Sequence, residues 1–279
     1  MAHLEEIKER IGNIGQIEGV IVAMRAMAAA HAQEARRHLR AIRQHEDTVA
    51  RAMAEAIALV PAGALVPAPH RGRVTHLQIV VGAAQGFSGS YNENIVSAVL
   101  DHADPHETCR YMLVGQRCIS EFAERGHPPD WSANTVAHAA DIPALASDLV
   151  DALFARLDGG EVHRVTVVYA DPATPDGSLV VRRLMPFDFA RIERARTAIE
   201  PETTIEPHLL IARLVEEYVF TEICEALMLG FAAENDARMN AMTRARTNVK
   251  NIAQDLQRRF HQARQEETTT EIIELSQAT

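Results

Sequence analysis

Both ends of this chain carry long stretches that have no internal proline and repeat apolar residues at steps of three and four. The first runs from residue 1 to 60, and the second runs from Pro207 to residue 279. Apolar spacing sustained over many turns is typical of a coiled coil, because only every third or fourth side chain faces a partner helix. Two such stretches around a middle segment of another pattern predict that the ends pair as a long antiparallel two-helix coiled coil.

The seam of the first helix follows from counting in steps that average 3.5 residues, starting at Ile7. Glu18, Arg25 and Glu46 interrupt the apolar series, and we expect Ile17 and Met24, one place before Glu18 and Arg25, to cover two of the three gaps. The other apolar seam positions are Ile11, Ile14, Ile21, Ala28, Ala32, Ala35, Leu39, Ile42, Val49, Met53 and Ala56.

The second helix changes character along its length. Between Leu209 and Phe231 apolar residues occur on more than one side, which predicts a segment buried on more than one side. Beyond this segment a narrow seam remains, which predicts a single partner helix. The narrow seam consists of Met242, Ala245, Val249, Ile252, Leu256, Phe260 and Ala263.

Between Arg73 and Arg191 predicted strands and helices alternate. Residues 74–82 form a continuous apolar run that ends in glycine, the pattern of a buried strand. Alternation of this kind predicts a Rossmann-like α/β domain with a mostly parallel sheet. Further strands are predicted at 109–115, 131–136, 162–170 and 179–187. The predicted domains are residues 1–60, 73–191 and 207–279.

A glycine-containing loop follows the first predicted strand and precedes a helix. Gly82, Gly86 and Gly89 lie where dinucleotide-binding folds hold a pyrophosphate. Their spacing is GxxxGxxG, which matches neither the dinucleotide fingerprint nor the phosphate-binding loop of nucleotide hydrolases. We therefore favour a loop whose glycines allow tight packing between strand and helix.

Composition excludes several functional classes. The formal net charge of −10 argues against nucleic acid as the main partner. The 3 cysteines lack the CxxC spacing of a zinc site and do not form a disulfide framework. No catalytic motif is present in the sequence, so we predict no catalytic, cofactor-binding or metal-binding residues.

Four motifs occur in register along the whole chain. They are Arg10-Ile11 with residues 23–30, the loop 86–92, Glu206-Pro207 before Leu209-Leu210, and residues 234–242 followed by Arg264-Gln265, Thr269 and Glu271. Together these motifs resemble those of the gamma subunit, the central stalk, of F-type ATP synthases. Ser88 stands where that family usually has cysteine, and residues 82–85 replace the family's usual residues before the loop, which indicates a divergent, alternate (N-type) ATPase.

The resemblance implies a non-catalytic rotor shaft that couples ion flow through a membrane ring to rotary synthesis or hydrolysis of ATP. It implies alpha and beta subunits, an epsilon-type subunit and the membrane c-ring as partners, with no cofactor. It also implies a peripheral location on the cytoplasmic face of a bacterial inner membrane. The residues to which it assigns coupling contacts are Met24, Arg25, Arg238, Met242, Arg264, Gln265, Thr269 and Glu271.

Two alternative functions remain at this point. A nucleotide-dependent α/β enzyme would use the loop from Gly82 to Gly89 and would bind nucleotide. A free-standing coiled-coil scaffold would form a stable homodimer, whereas a rotor shaft is present once in each complex.

Overall fold

A computed structural model describes residues 2–61, 65, 72–101, 104–174, 179–192 and 202–277 of the chain. Two long helices flank a middle segment in which strands and shorter helices alternate, as the sequence pattern predicts. The helices are α1 (Ala2–Ala58), α2 (Tyr91–Asp101), α3 (Gln116–Glu124), α4 (Ile142–Asp158) and α5 (Pro207–Gln277), and the strands are β1 (Thr75–Val81), β2 (Thr108–Val114), β3 (Trp131–Ala133), β4 (Arg164–Ala170) and β5 (Leu179–Met185).

The chain divides into two compact units. The helical unit consists of Met1–Ala29 and Arg238–Thr279, and the sheet unit consists of Ala30–Ala237. Helices α1 and α5 are each divided between the two units, with one segment in each unit. The predicted fold class, long paired terminal helices with a mostly parallel α/β sheet, is confirmed.

Among the described residues of the sheet unit, five strands lie in the order β3-β2-β1-β4-β5. The first four strands in this order are parallel, and β5 pairs with β4 in the antiparallel direction. Side chains alternate between the two faces of each strand, so the sheet has two apolar layers. Ile79 and Val167 belong to the layer that also contains α4 and the sheet-unit segments of α1 and α5. Val80 belongs to the layer that contains α2 and α3.

Within the sheet unit, α1 and α5 run antiparallel. Arg36 pairs with Asp236, and further along α1 the side chain of Arg43 donates to Glu225 at 2.9 Å. A later residue of α1 therefore contacts an earlier residue of α5, as expected for two helices that run in opposite directions. Two alanines of α1 in this segment, Ala32 and Ala35, are buried almost completely.

The helical unit repeats the antiparallel arrangement. Ile21 forms a buried cluster with Met242 and Val249, and Met24 packs against this cluster. Arg246 donates to Glu18 at 3.3 Å, so one interruption of the seam is filled by an ion pair between the helices.

Two details of the predicted seam are wrong. Ile17, expected to cover the gap at Glu18, leaves 47% of its surface exposed, and Ile252 leaves 49% exposed. One residue corresponds to about 100° of rotation around a helix, so a side chain one position before the seam points away from the partner helix unless it bends back. Ile17 is branched at Cβ and cannot turn back toward the partner, whereas the flexible side chain of Met24 can.

Candidate functional site

The loop after β1 binds a carboxylate from the chain itself. The backbone amide of Ala84 donates to Oε2 of Glu234 at 3.1 Å, and the amide of Gln85 donates to Oε1 at 3.3 Å. Glu234 lies on α5 and is buried. Amides between a strand and a following helix commonly bind the phosphate of a ligand. Here they bind an internal anion and join the sheet to α5.

Further contacts fix this loop on both sides. The side chain of Asn92 accepts a hydrogen bond from the amide of Ala83 at 3.0 Å and donates to Glu121 of α3 at 2.6 Å. The hydroxyl of Tyr91 donates to the carbonyl of Gly230 on α5 at 3.2 Å. The N-terminus of α2 is thus attached to two other helices.

The glycines of the loop differ in the space around them and in their backbone conformation. A Cβ at Gly82 would lie 2.6 Å from Sγ of Cys118, so α3 can approach the end of β1 only because this side chain is missing. Gly89 has a φ of 65°, which glycine adopts at little cost. Around Gly86, by contrast, no described atom lies within 4 Å of an added Cβ. The packing interpretation is confirmed for Gly82.

Two of the predicted contact residues lie together between the helices of the helical unit. Met242 is buried, and Met24 packs against the cluster that contains it. Arg25, the next residue along α1, is exposed. The packing of the two methionines holds the helices in register, while Arg25 is available on the surface.

The other predicted contact residues lie on α5. Arg238 is partly buried and takes part in an interaction within the protein. Arg264, Gln265 and Thr269 are exposed, and the hydroxyl of Thr269 donates to the carbonyl of Gln265 at 2.8 Å. The side chain of Glu271 falls outside the described residues. The role of all eight residues in coupling stays a prediction.

Sequence reasoning missed a group of buried charges in the sheet unit. Glu222 and Glu225 lie on the segment of α5 that is buried on several sides, and their partners are Arg182 and Arg191 with Arg43 of α1. Glu222 and Glu225 are the two charged residues within residues 218–231, and this was the available signal, because buried carboxylates require partners.

The pKa values of Glu222 and Glu225 are shifted in opposite directions. Burial raises the pKa of Glu222 above its ordinary value, although Arg191 and Arg182 oppose this change. Burial also acts to raise the pKa of Glu225, but hydrogen bonds from Arg43 and Arg182 outweigh it, so the pKa of Glu225 is lowered. The side chain of Glu225 is therefore held as a carboxylate.

Two negative findings concern only the described part of the chain. No group of three or more histidine, cysteine, aspartate or glutamate side chains is placed to hold a metal ion there. Among the same residues, no helix is both long and apolar enough to span a membrane.

The fold is similar to that of chains in two solved ATP synthase structures. The rotor of the mitochondrial ATP synthase of Euglena gracilis has a similar structure, with a TM-score of 0.62 at 11% identity over 96% of this chain and 99% of that one. The central stalk of the Tetrahymena thermophila mitochondrial enzyme gives a TM-score of 0.56 at 20% identity, over 81% of this chain and 99% of that one.

Sequence comparison defines the family. The chain belongs to the ATP synthase family, whose model matches residues 3–278. The ATP synthase gamma chain of Ruegeria pomeroyi is 28% identical over 99% of this chain and 98% of its own length, and that of Clostridium pasteurianum is 27% identical over 98% and 96%. The resemblance to the gamma subunit is confirmed, and with it the role of a central shaft in an F-type ATP synthase.

Proposed function

We propose that the chain is the non-catalytic rotor subunit that couples ion flow to ATP synthesis or hydrolysis in neighbouring subunits. The observation that carries the proposal is the antiparallel pairing of its two ends. Ile21 packs with Met242 and Val249, and Glu18 pairs with Arg246 at 3.3 Å. A pair of helices held by both apolar contacts and an ion pair resists twisting better than a single helix does.

The absence of catalysis by this chain is part of the proposal. The amides best placed to bind a nucleotide phosphate, those of Ala84 and Gln85, already donate to Glu234. A phosphate would have to displace a buried carboxylate that lies on another element of the same unit. This arrangement favours a rotor over the alternative of a nucleotide-dependent enzyme.

The partners in this proposal are a surrounding ring of alpha and beta subunits, an epsilon-type subunit and the c-ring of the membrane. Exposed side chains on the helical unit, among them Arg25, Arg264 and Gln265, would contact the surrounding ring. The complex would lie on the cytoplasmic face of a bacterial inner membrane, with this chain peripheral to it. We assign it to the alternate N-type class, and we retain the three predicted domains, 1–60, 73–191 and 207–279.

Coupling in this scheme needs no nucleotide on the rotor. As an asymmetric pair of helices turns, each surrounding catalytic subunit meets a different surface in sequence. The affinity of each catalytic site then depends on which surface faces it, because a rotor that contacts two conformations differently shifts the equilibrium between them.

The proposal is tested by purification of the complex through an affinity tag on this chain. We expect alpha- and beta-type subunits to co-purify with one copy of the chain, and ATP hydrolysis to occur in the complex but not in the isolated chain. Calorimetry should detect no nucleotide binding to the isolated chain. A stable homodimer without partners would support the scaffold instead, and nucleotide turnover by the chain alone would support the enzyme.

A further inference from the structure

Two carboxylates inside the sheet unit form the centre of a charged cluster. Glu222 and Glu225 are three residues apart on α5, so they lie on neighbouring positions of one helical face. Glu222 is 0% exposed and Glu225 is 5% exposed. Carboxylates this deeply buried are costly to ionise unless cations and hydrogen bonds compensate for the lost water.

Three arginines from three different elements supply this compensation. Arg43 of α1 donates to Glu225 at 2.9 Å, and Arg191, in a short 3₁₀ turn after β5, donates to Glu222 at 2.6 Å. Arg182 of β5 donates to Glu225 at 2.9 Å and lies 3.6 Å from Glu222, so it contacts both carboxylates. We call these five residues the carboxylate lock.

Aromatic and charged neighbours surround the lock. The guanidinium of Arg182 lies over the ring of Tyr169, and that of Arg191 lies over the ring of Tyr218, each at 5.9 Å from the ring centre. The hydroxyl of Tyr218 donates to Glu46 of α1 at 3.0 Å. The arginine side chains are therefore held by stacking as well as by charge.

The lock differs in kind from the apolar packing beside it. Apolar contacts are non-directional, so their strength follows the area that they bury rather than the orientation of particular groups. Charge-assisted hydrogen bonds are short and depend on direction, so a shift of one element against the other would break them and leave charges unpaired in a buried site. Oε2 of Glu222 is buried and has no hydrogen-bond partner among the described residues, so this carboxylate depends on the contacts that its other oxygen makes.

We infer that the carboxylate lock is the joint through which torque passes between the sheet and the two long helices. The inference rests on the proposed rotor function and assigns part of that function to specific residues. Arg182 and Arg191 act from the sheet side, Glu222 and Glu225 receive the force on α5, and Arg43 extends it to α1. In this inference the five residues are positioning residues, which act through the contacts between the sheet and the helices.

Arg182 offers the sharpest test, since it is the one arginine of the lock that contacts both carboxylates. Arg182→Met retains the apolar stem and removes the charge, while Arg182→Lys retains a charge without the planar fork. The matched control is Arg183→Met on the same strand, because the side chain of Arg183 is 54% exposed and lies 3.7 Å from Asp188 rather than on α5.

The measurement is made on the assembled, membrane-reconstituted complex. ATP hydrolysis is recorded without an opposing ion gradient, and ATP-driven ion pumping is recorded against a gradient of increasing size. We expect Arg182→Met to leave unopposed hydrolysis within the error of the wild type and to at least halve the gradient that the complex sustains. Arg182→Lys should recover part of the loss, and Arg183→Met should behave as the wild type.

A purely structural role predicts a different result. It would lower assembly or hydrolysis at every load, and it would not produce a loss that grows with the opposing gradient. Equal sustained gradients for Arg182→Met and Arg183→Met would overturn the inference that the carboxylate lock transmits torque. If the Arg182→Met chain does not assemble, Glu225→Gln carries the same test with an isosteric side chain. A wild-type chain that fails to co-purify with partner subunits overturns the rotor function itself, which separates the two failures.

Discussion

Oε2 of Glu234 accepts a hydrogen bond at 3.1 Å from the backbone amide of Ala84, so a side chain of α5 occupies the anion position of the loop after β1. In nucleotide-binding folds the corresponding amides face a phosphate. In this chain the same geometry serves to hold a helix against the sheet. A loop at a position where related folds bind a ligand therefore makes an internal contact between the sheet and α5.

This relationship predicts the effect of removing the carboxylate. Glu234→Ala leaves the amides of Ala84 and Gln85 without their acceptor, so we expect the free energy of unfolding to fall by about 1–3 kcal/mol. Glu124→Ala, an exposed control on α3, should change it by less than about 0.5 kcal/mol. Urea denaturation of the isolated chain measures both values. Equal effects of the two substitutions would mean that the hydrogen bonds to the loop contribute nothing.

The opposite pKa shifts of the two lock carboxylates predict opposite dependences of stability on pH. The pKa of Glu225 is lowered from 4.5, so its charge stabilises the fold above pH 4.5 and this contribution is lost as the pH falls through the lowered value. Glu225→Gln should therefore cost about 1 kcal/mol at neutral pH, and the difference from the wild type should shrink below pH 4.5.

Glu222 provides the internal control for this experiment. Burial raises its pKa above 4.5, so its ionisation removes stability as the pH rises from 4.5 toward the raised value. The stability difference between the wild type and Glu222→Gln should consequently decrease with rising pH in that window. Thermal unfolding at several pH values follows both differences, and parallel trends for the two variants would contradict the assignment.

Close approach of α5 to β1 depends on Gly230. A Cβ at this position would lie 2.5 Å from Cγ1 of Val81, a side chain that is stiff because it is branched at Cβ. Gly230→Ala should therefore destabilise the chain by about 1–3 kcal/mol. In a chain that already carries Val81→Ala, the same substitution should cost less, and a double-mutant cycle measures the difference.

Gly19→Ala is the matched control, because it also lies inside a long helix but no described atom lies within 4 Å of the added Cβ. Relief of the glycine penalty should stabilise the chain by about 0.5–1 kcal/mol. If the effects of Gly230→Ala and Val81→Ala are additive in the double-mutant cycle, the added methyl group at residue 230 does not clash with Val81.

Packing and contact roles among the predicted coupling residues can be separated. Met242 is buried, so Met242→Ala should lower the free energy of unfolding of the isolated chain by about 2–5 kcal/mol. Gln265 is exposed, so Gln265→Ala should change it by less than about 0.5 kcal/mol yet reduce ATP-driven ion pumping by the complex. Gln257→Ala, exposed on the same helix, should change neither quantity. A Gln265→Ala complex with normal pumping would remove this residue from the contact set.

Local pattern was sufficient to predict most of the architecture. Each predicted strand begins and ends within a few residues of a strand in the structure, because apolar runs bounded by glycine and turn residues define buried strands directly. The seam was also well predicted. Of its apolar positions on α1, those that are buried are Ile7, Ile21, Ala28, Ala32, Ala35, Leu39, Val49, Met53 and Ala56.

Contacts between distant parts of the chain could not be predicted in the same way. Arg43 and Glu225 are 182 residues apart, and Ala84 and Glu234 are 150 residues apart. The sequence pattern locates each residue on a helix, strand or loop, but the partner of a charged side chain depends on the register between elements. The sequence also does not show which glycine is required by close packing. Gly82 and Gly86 belong to one motif, but of the two only Gly82 lies close to a neighbouring side chain.

Rotation of this chain within its complex is the most direct test of the central claim. A probe is attached to an exposed residue of the sheet unit, such as a cysteine introduced by Asp104→Cys, and the surrounding subunits are fixed to a surface. The rotor function predicts unidirectional rotation of the probe that starts with ATP and stops when ATP is removed. A probe that stays still while the same complex hydrolyses ATP would contradict it.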